Sequence, residues 1–555
     1  MDQDEWQKSP RLSSDATPAC RAASAWLAWR RHAAKLIEIN GGNHRPMRSA
    51  ILAASLAACT LILPATAQTP PAADKAADKA EAKGDAAIPP PVRSETRHTG
   101  TFGGQRISYR AIAGDTYLKD KDGKPLASIT SYTYLKDGPV DPNRPVTFLW
   151  NGGPGSGSLW LHMGAFGPRR VVVPGDAKDD GAPPFPVIDN AESLLDVTDL
   201  VFIDPVGTGF SRALGKTDPK DYWGVTQDAK SMAEFIRLWL NEHGRWNAPK
   251  YIGGESYGTT RSAAVIRELE GSYTDVTVNG IILISAILDF SQAADSPGNE
   301  LGYVTNLPSM AATAWYHGKV ADKPATVEAF VEEARAFAIG PYATALLKGN
   351  SLSQAERQAI LPQLSRFTGV SQAYLANADL RLTPGRFYKE LLRDRGQTIG
   401  RLDTRYTGRD YDNAGEEPDN DPSFYGIDGA YTAAMNQYAR EVLKYSPDVT
   451  YSAIGGVRDW DWKIGGPRGG EGYLNVAPWI GQALRENSRL RVWVGQGYYD
   501  FATPFFGAEY SLNRTGMPTD GRIQWHYYHA GHMMYVRDED LKKLSADLRA
   551  FIRAR

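Results

Sequence analysis

The sequence predicts an α/β fold: a mainly parallel central sheet flanked by helices, with a largely helical cap inserted between two of its strands. Three observations predict it. Short apolar runs rich in β-branched and aromatic residues recur after residue 99, each closed by Gly, Pro or Asp, as strands buried on both faces are. Between them apolar residues repeat at helical spacing, which is the alternation of βαβ units. A stretch over 292–472 then interrupts the rhythm before strands resume. Bulk composition agrees, since 555 residues at 42% hydrophobic supply a sizeable core within one elaborated α/β unit. With 62 Lys plus Arg against 64 Asp plus Glu, the formal charge of -2 offers no positive field for nucleic-acid phosphates. Two cysteines exclude a disulfide scaffold and a Cys-rich zinc or iron–sulfur site.

The first 98 residues read as processing and tether. Arg45 and Arg48 flank Met47, Ala50 to Leu63 carries no charge, and Pro64 and Ala65-Thr66-Ala67 follow. A basic n-region, an apolar stretch and a small-x-small end describe a secretory signal peptide over 47–67. The stretch falls short of the roughly 20 residues a spanning helix needs. A signal beginning at Met47 makes residues 1–46 an over-called start or a disordered extension. Cleavage after Ala67 removes both cysteines, Cys20 and Cys59, and leaves a cysteine-free chain in an oxidising, secreted or periplasmic compartment. Leu56-Ala57-Ala58-Cys59 also resembles a lipoprotein cleavage site, against which the apolar run continues past Cys59 to Leu63. Residues 68–98 are mostly Ala, Lys, Asp and Pro, bury too little to offset their ordering entropy, and read as a disordered tether.

From residue 99 the elements follow in order. Alternation in TFGGQRISYRAIAG and LASITSYTYL predicts an antiparallel opening pair of strands. Val146–Trp150, Leu200–Ile203, Tyr251–Gly253 and Gly280–Ile287 read as buried parallel strands, and Thr226–Gly244 as a helix with Ala229, Met232, Ala233, Ile236 and Leu240 on its inner face. These form the first part of the core, 99–291. The interruption over 292–472 opens with helical patterning and passes into a Gly, Asp and Trp-rich region, placing a cap over one end of the sheet. The last part, 473–555, brings strands at Leu490–Gly495 and Arg522–Tyr528 and an amphipathic helix over about 538–553.

The candidate chemistry collects at strand ends. Gly254-Glu255-Ser256-Tyr257-Gly258 lies directly after one predicted strand and before helical sequence, the context of a nucleophile elbow, in which Ser256 is presented on a sharp turn. Asn151-Gly152-Gly153-Pro154-Gly155 ends the strand at Val146–Trp150, where α/β hydrolases supply an oxyanion donor from a Gly-rich loop. A serine hydroxyl needs a base and an orienting acid, in this fold in the order Ser, Asp or Glu, His. His532 follows the final strand at a glycine turn, and Asp500 ends the strand before it; Asp538 and Asp540 start the last helix as capping residues would. His317 falls in the cap. His526, His529 and His532 carry no HExxH spacing, so no metal is implied.

Together FLWNGGPGSGSLW, FIDPVGTGFS, IGGESYG, GQGYYDF and AGHM, in this order, resemble the serine carboxypeptidase family, with an α/β-hydrolase fold, in a bacterial-type member, over about residues 99–555. The resemblance implies Ser256 as nucleophile, Asp500 and His532 as its partners, and the Gly153 and Tyr257 N–H groups as the oxyanion hole. It implies that Asn151 and Glu255, with Gly152 beside them, hold a substrate's terminal carboxylate. Three departures stand out: Ser156 where the family commonly has Cys, Trp150 adjacent to the Asn rather than two residues before it, and Ala165 where a second Glu of the carboxylate network falls. The expected activity is that of a serine carboxypeptidase acting on peptides through an acyl-enzyme, without cofactor or metal. An esterase or acyltransferase on a small acyl substrate is the alternative. A binding protein that has lost catalysis is disfavoured by the joint presence of Ser256, Asp500 and His532. No nucleic acid or membrane-spanning segment is expected, and a homodimer stays open.

Overall fold

The computed structural model describes residues 88–554 apart from 140, 272, 294–296 and 465–471. The expected start over 1–46, the signal peptide over 47–67, both cysteines and most of the tether lie outside the described residues.

Nine strands make the framework of the main sheet: β1 Arg93–Phe102, β2 Gln105–Lys119, β3 Pro125–Lys136, β4 Val146–Trp150, β5 Asp199–Ile203, β6 Lys250–Ser256, β7 Gly280–Ala286, β8 Arg491–Gly497 and β9 Ile523–Tyr528. Their spatial order is β1-β2-β3-β5-β4-β6-β7-β8-β9. The first three strands and the β3–β5 junction are antiparallel, and every pairing from β5 to β9 is parallel. This is the mostly parallel sheet of the α/β-hydrolase fold, and β6 lies inside it between β4 and β7.

Two expectations are corrected at the leading edge. The run from Thr99 is not one strand: Phe102 pairs with Gln105 across Gly103 and Gly104, whose φ angles of 53° and 79° suit the two-residue turn that hairpin twist favours. The tether also ends earlier than residue 98, because Arg93–His98 already pairs with β2. Side chains of β1 alternate between exposed and half-buried, so composition signals no core. The strand forms because backbone groups at the edge find partners on β2.

The parallel strands alternate between two helix-covered faces. Phe148, Trp150, Val201, Ile252, Leu283 and Val494 share one cluster with α1 (Val225–His243), α2 (Tyr257–Glu270) and α7 (Ala477–Glu486). Leu149, Phe202, Tyr251, Ile282 and Trp493 point the other way, against α8 (Asp538–Arg553), through Leu544, Leu548 and Phe551. Burial on both faces explains the continuous apolar runs. The segment between β7 and β8 includes α3 (Leu301–Tyr316), α4 (Val327–Phe337), α5 (Gln354–Thr368) and α6 (Asp428–Gln437). Leu307, Met310, Phe330, Phe337, Leu364 and Phe367 give its first three helices a core of their own, which also takes in Phe501 beside the candidate acid. Ser353 and Glu356 close a capping box at the start of α5. In α8, Asp538 and Asp540 lie in the first turn but make no capping bond; Asp540 instead accepts from the His529 N–H.

Candidate active site

Ser256 ends β6 and opens α2 with φ 62° and ψ -131°, a left-handed, strained backbone rare for a non-glycine residue. Glycine at both flanks permits it. A Cβ on Gly254 would stand 2.1 Å from the Gly258 carbonyl oxygen, and one on Gly258 3.0 Å from the Asn151 oxygen. The Trp150 indole donates to the Gly258 carbonyl at 2.8 Å, tying β4 to the elbow. The half-exposed Ser256 thus stands at the sheet's carboxyl edge with the amino end of α2 directly behind it.

Sheet order sets the neighbours. β4 lies on one side of β6 and delivers Asn151, Gly152 and Gly153; Gly152 is so close that a Cβ there would meet the Tyr257 nitrogen at 2.5 Å. The Asn151 carbonyl accepts from the buried guanidinium of Arg261, which also pairs with Asp228 on α1 at 2.6 Å. Burial lifts the Asp228 pKa even against that cation. The loop carrying FIDPVGTGFS braces the same turn from below: Asp204 Oδ1 accepts from the Ser158 N–H at 2.7 Å, and burial pushes Asp204 up to about 7.

On the other side, β8 and β9 bring the acid and the imidazole. His532 Nδ1 lies 2.8 Å from Asp500 Oδ2, both groups buried. Asp500 Oδ1 accepts from the Ala502 and Thr503 N–H groups at 2.8 and 2.9 Å, and Oδ2 from the Thr503 hydroxyl at 2.7 Å. Burial alone would depress the His532 pKa, but the Asp500 carboxylate overrides it and the net shift is upward. The inserted segment holds this loop in place: the His532 N–H donates to the Leu402 carbonyl at 2.6 Å, and Gly531 N–H to Asp403 at 3.0 Å. No hydrogen bond joins Ser256 to His532 among the described residues, and such bonds commonly tighten only with substrate in place.

Asn151, Gly152, Gly153, Glu255, Ser256 and His532 all line one cavity of about 340 Å³, with Trp160, Phe424 and Met533 forming apolar wall. Within it Asn151 Nδ2 donates to Glu255 Oε1 at 3.0 Å, while Asn151 Oδ1 accepts from the Leu161 N–H. Burial pushes Glu255 up to about 7, opposed by charged His532, the neighbouring Tyr535 hydroxyl and the Asn151 amide, and aided by Asp500. Tyr257 is buried, its ring edge-on to Trp460 and Trp462. Arg401 lines this cavity and also a second one of about 290 Å³.

The structure therefore brings together every residue that the motifs singled out. The other histidines downstream of Ser256 are engaged elsewhere: His526 with Asp547, His529 with Glu328, His317 with the Thr404 carbonyl. Among the described residues no group of three or more His, Cys, Asp and Glu is arranged to hold a metal, and no helix is long and apolar enough to cross a membrane. Thr503, Arg401, Asp403 and Tyr535 were not anticipated. For Thr503 and Tyr535 the sequence signal is closeness in the chain to Asp500 and His532, whereas Arg401 and Asp403, far from both in the chain, carry none.

Residues 132–333 match the serine carboxypeptidase family. That span holds Asn151–Gly153 and Glu255–Tyr257 but stops short of Asp500 and His532. The chain is 28% identical over 161 residues to serine carboxypeptidase-like 13 of Arabidopsis thaliana, covering 28% of this chain and 36% of that protein. It is 26% identical over 166 residues to serine carboxypeptidase-like 16 of the same plant, covering 29% and 37%. The aligned stretch thus spans little more than a third of these relatives' length. Among solved structures the chain is similar to a prohormone-processing carboxypeptidase of Saccharomyces cerevisiae, at TM-score 0.47 and 15% identity over 80% of this chain and 90% of that one. Over residues 132–333 the chain is thus similar, at distant identity, to the serine carboxypeptidase family.

Proposed function

We propose that this chain is a serine carboxypeptidase that removes C-terminal residues from peptides through an acyl-enzyme on Ser256. The observation that carries the reading is the buried Asn151–Glu255 pair, 3.0 Å apart, in the same cavity as Ser256 and His532. A peptide's terminal carboxylate facing Glu255 is a like-charge pair, so one partner takes up a proton; a Glu255 pKa near 7 makes it the group that does so. Protonated Glu255 and the Asn151 amide then donate to the carboxylate and set the last peptide bond over Ser256.

His532 accepts the Ser256 proton as Oγ bonds to the scissile carbonyl carbon. The Gly153 and Tyr257 N–H groups receive the developing oxyanion, with α2's amino end favouring the negative charge. The C–N bond breaks as His532 returns the proton to the leaving amine. Water, deprotonated by His532, then attacks the ester and frees the shortened peptide and Ser256. Asp500 fixes the imidazole with Nδ1–H toward itself.

An esterase or acyltransferase on the same triad is favoured by one observation, the alanine at 165 in place of a second carboxylate-network Glu. Digestion of peptides with free and with amidated C-termini, read by mass spectrometry, separates the two: much faster stepwise loss from free-acid peptides supports the carboxypeptidase, and equal hydrolysis of both overturns it. In the same assay Ser256→Ala is expected to lose fluorophosphonate labelling and to lower turnover by about 10⁶. The charge-free run Ala50–Leu63 behind Arg45 and Arg48 supports export to a secreted or periplasmic location. N-terminal sequencing of the mature protein is expected to begin at Gln68 or just beyond, and recovery of residues 1–46 on active enzyme would refute export.

A further inference from the structure

Behind the cavity, a tyrosine with no counterpart in the motifs meets the carboxyl group of Glu255. Tyr535 lies in the turn Met534–Val536, three residues after His532, and is 1% exposed. Glu255 lines the cavity and Tyr535 does not. The Tyr535 hydroxyl adjoins both Glu255 and Asn151. Glu255 Oε1 is engaged by Asn151, whereas Glu255 Oε2 and the Tyr535 hydroxyl are both buried and neither completes a well-formed hydrogen bond to another described residue. Each therefore lacks what the other offers.

The opposing surface is shaped for this ring. The π-helical turn Leu161–Phe166 packs against Met534–Val536. A Cβ on its Gly164 would come within 2.7 Å of both the Tyr535 ring and the Tyr431 hydroxyl. The next residue is the fully buried Ala165, where the resemblance implies a second glutamate. The glycine at 164 thus leaves the space that the tyrosine fills.

We propose that Tyr535 is a positioning residue that replaces the missing second carboxyl group. Its O–H donates to Glu255 Oε2 and turns Oε1, on the Asn151 side, toward the terminal carboxylate of a bound peptide. The proposal rests on the carboxypeptidase reading. A phenol in place of a carboxylic acid changes the proton economy of the site. Two facing carboxyls would share a proton, whereas Tyr535 stays a neutral donor, its own ionisation suppressed by burial and by Glu255. Donation to a carboxylate favours the charged form, so Tyr535 pulls the Glu255 pKa down against burial. The other groups acting on Glu255 are His532 and Asp500 from the loops after β9 and β8, while Tyr431 of α6 approaches from the cap.

The test compares wild type, Tyr535→Phe and Glu255→Gln, measuring KM from pH 5 to 9 for a free-acid peptide and for its amide. The readout is the ratio of the two KM values within each protein, which cancels losses common to both substrates. In wild type the ratio is expected to rise as pH passes about 7. Tyr535→Phe is expected to raise the ratio at pH 5 by on the order of tenfold. It should also move the upturn to higher pH, because Glu255 has lost a donor. Glu255→Gln is expected to flatten the profile. A Tyr535→Phe ratio and upturn identical to wild type overturns the proposal while leaving the role of Glu255 intact. Equal losses on acid and amide overturn it too, by assigning Tyr535 to structure alone. A wild-type ratio that is flat with pH and equal to that of Glu255→Gln removes the carboxypeptidase reading itself and the proposal with it.

Discussion

Replacement of Asp500 by Asn is informative because the hydrogen bonds around it dictate which way the new amide must face. Asp500 accepts from two backbone N–H groups on Oδ1 and from Thr503 and His532 on Oδ2. An NH₂ at the Oδ1 position would point at two donors at 2.8 and 2.9 Å, so the amide oxygen must take that position. The NH₂ then faces the Thr503 hydroxyl, which can accept, and His532 Nδ1, which must give up its hydrogen to accept. The imidazole is left with its hydrogen on Nε2, the wrong tautomer to take a proton from Ser256. Such a tautomer change costs about 10⁴ in kcat elsewhere, equivalent to about 5.5 kcal/mol of barrier. Asp500 itself is fully buried, so water offers its side chain no easy rescue. The assay is pre-steady-state release of the chromogenic alcohol from an acyl ester, with thermal melting to show that Asp500→Asn is folded. Acylation within tenfold of wild type in a folded variant would refute the assignment of Asp500 as the orienting acid.

Two other perturbations probe the supports of the site. Arg261→Met leaves Asp228 buried without its cation, which is expected to cost about 3–5 kcal/mol at neutral pH; the deficit should shrink as pH falls and Asp228 takes up a proton. Urea titrations at pH 5 and 8 check this, and an unchanged midpoint at both would remove Arg261 as a brace of the Asn151 turn. Arg401→Gln removes a positive charge that disfavours the imidazolium, so the His532 pKa should rise and the acid limb of kcat/KM should move to higher pH; no movement, or movement downward, contradicts the placement of Arg401 beside the imidazole.

The parts of this molecule legible in sequence are those whose causes are local. Gly254-Glu255-Ser256-Tyr257-Gly258 announces the elbow because the strand, the tight turn and the helix that need those glycines are contiguous. The two-face burial of β4, β5, β6 and β7 is written as unbroken apolar runs. β1 was missed because an edge strand forms by borrowing backbone partners, a cause that leaves little mark on its side chains. The supporting shell was missed for a different reason. The Arg261 guanidinium reaches back 110 residues to the Asn151 carbonyl, and Asp403 reaches 128 residues forward to the Gly531 N–H. Neither end of such a bond carries a periodicity or a spacing that names the other. The insertion between β7 and β8 accordingly does more than cover the site. Its Leu402 and Asp403 hold the loop that carries His532, and Leu402 also lines the cavity shared by Ser256 and His532. The inserted segment and the loop of His532 therefore share hydrogen bonds, so a change in the turn at residues 401–403 acts on the position of the imidazole as well as on the shape of the pocket.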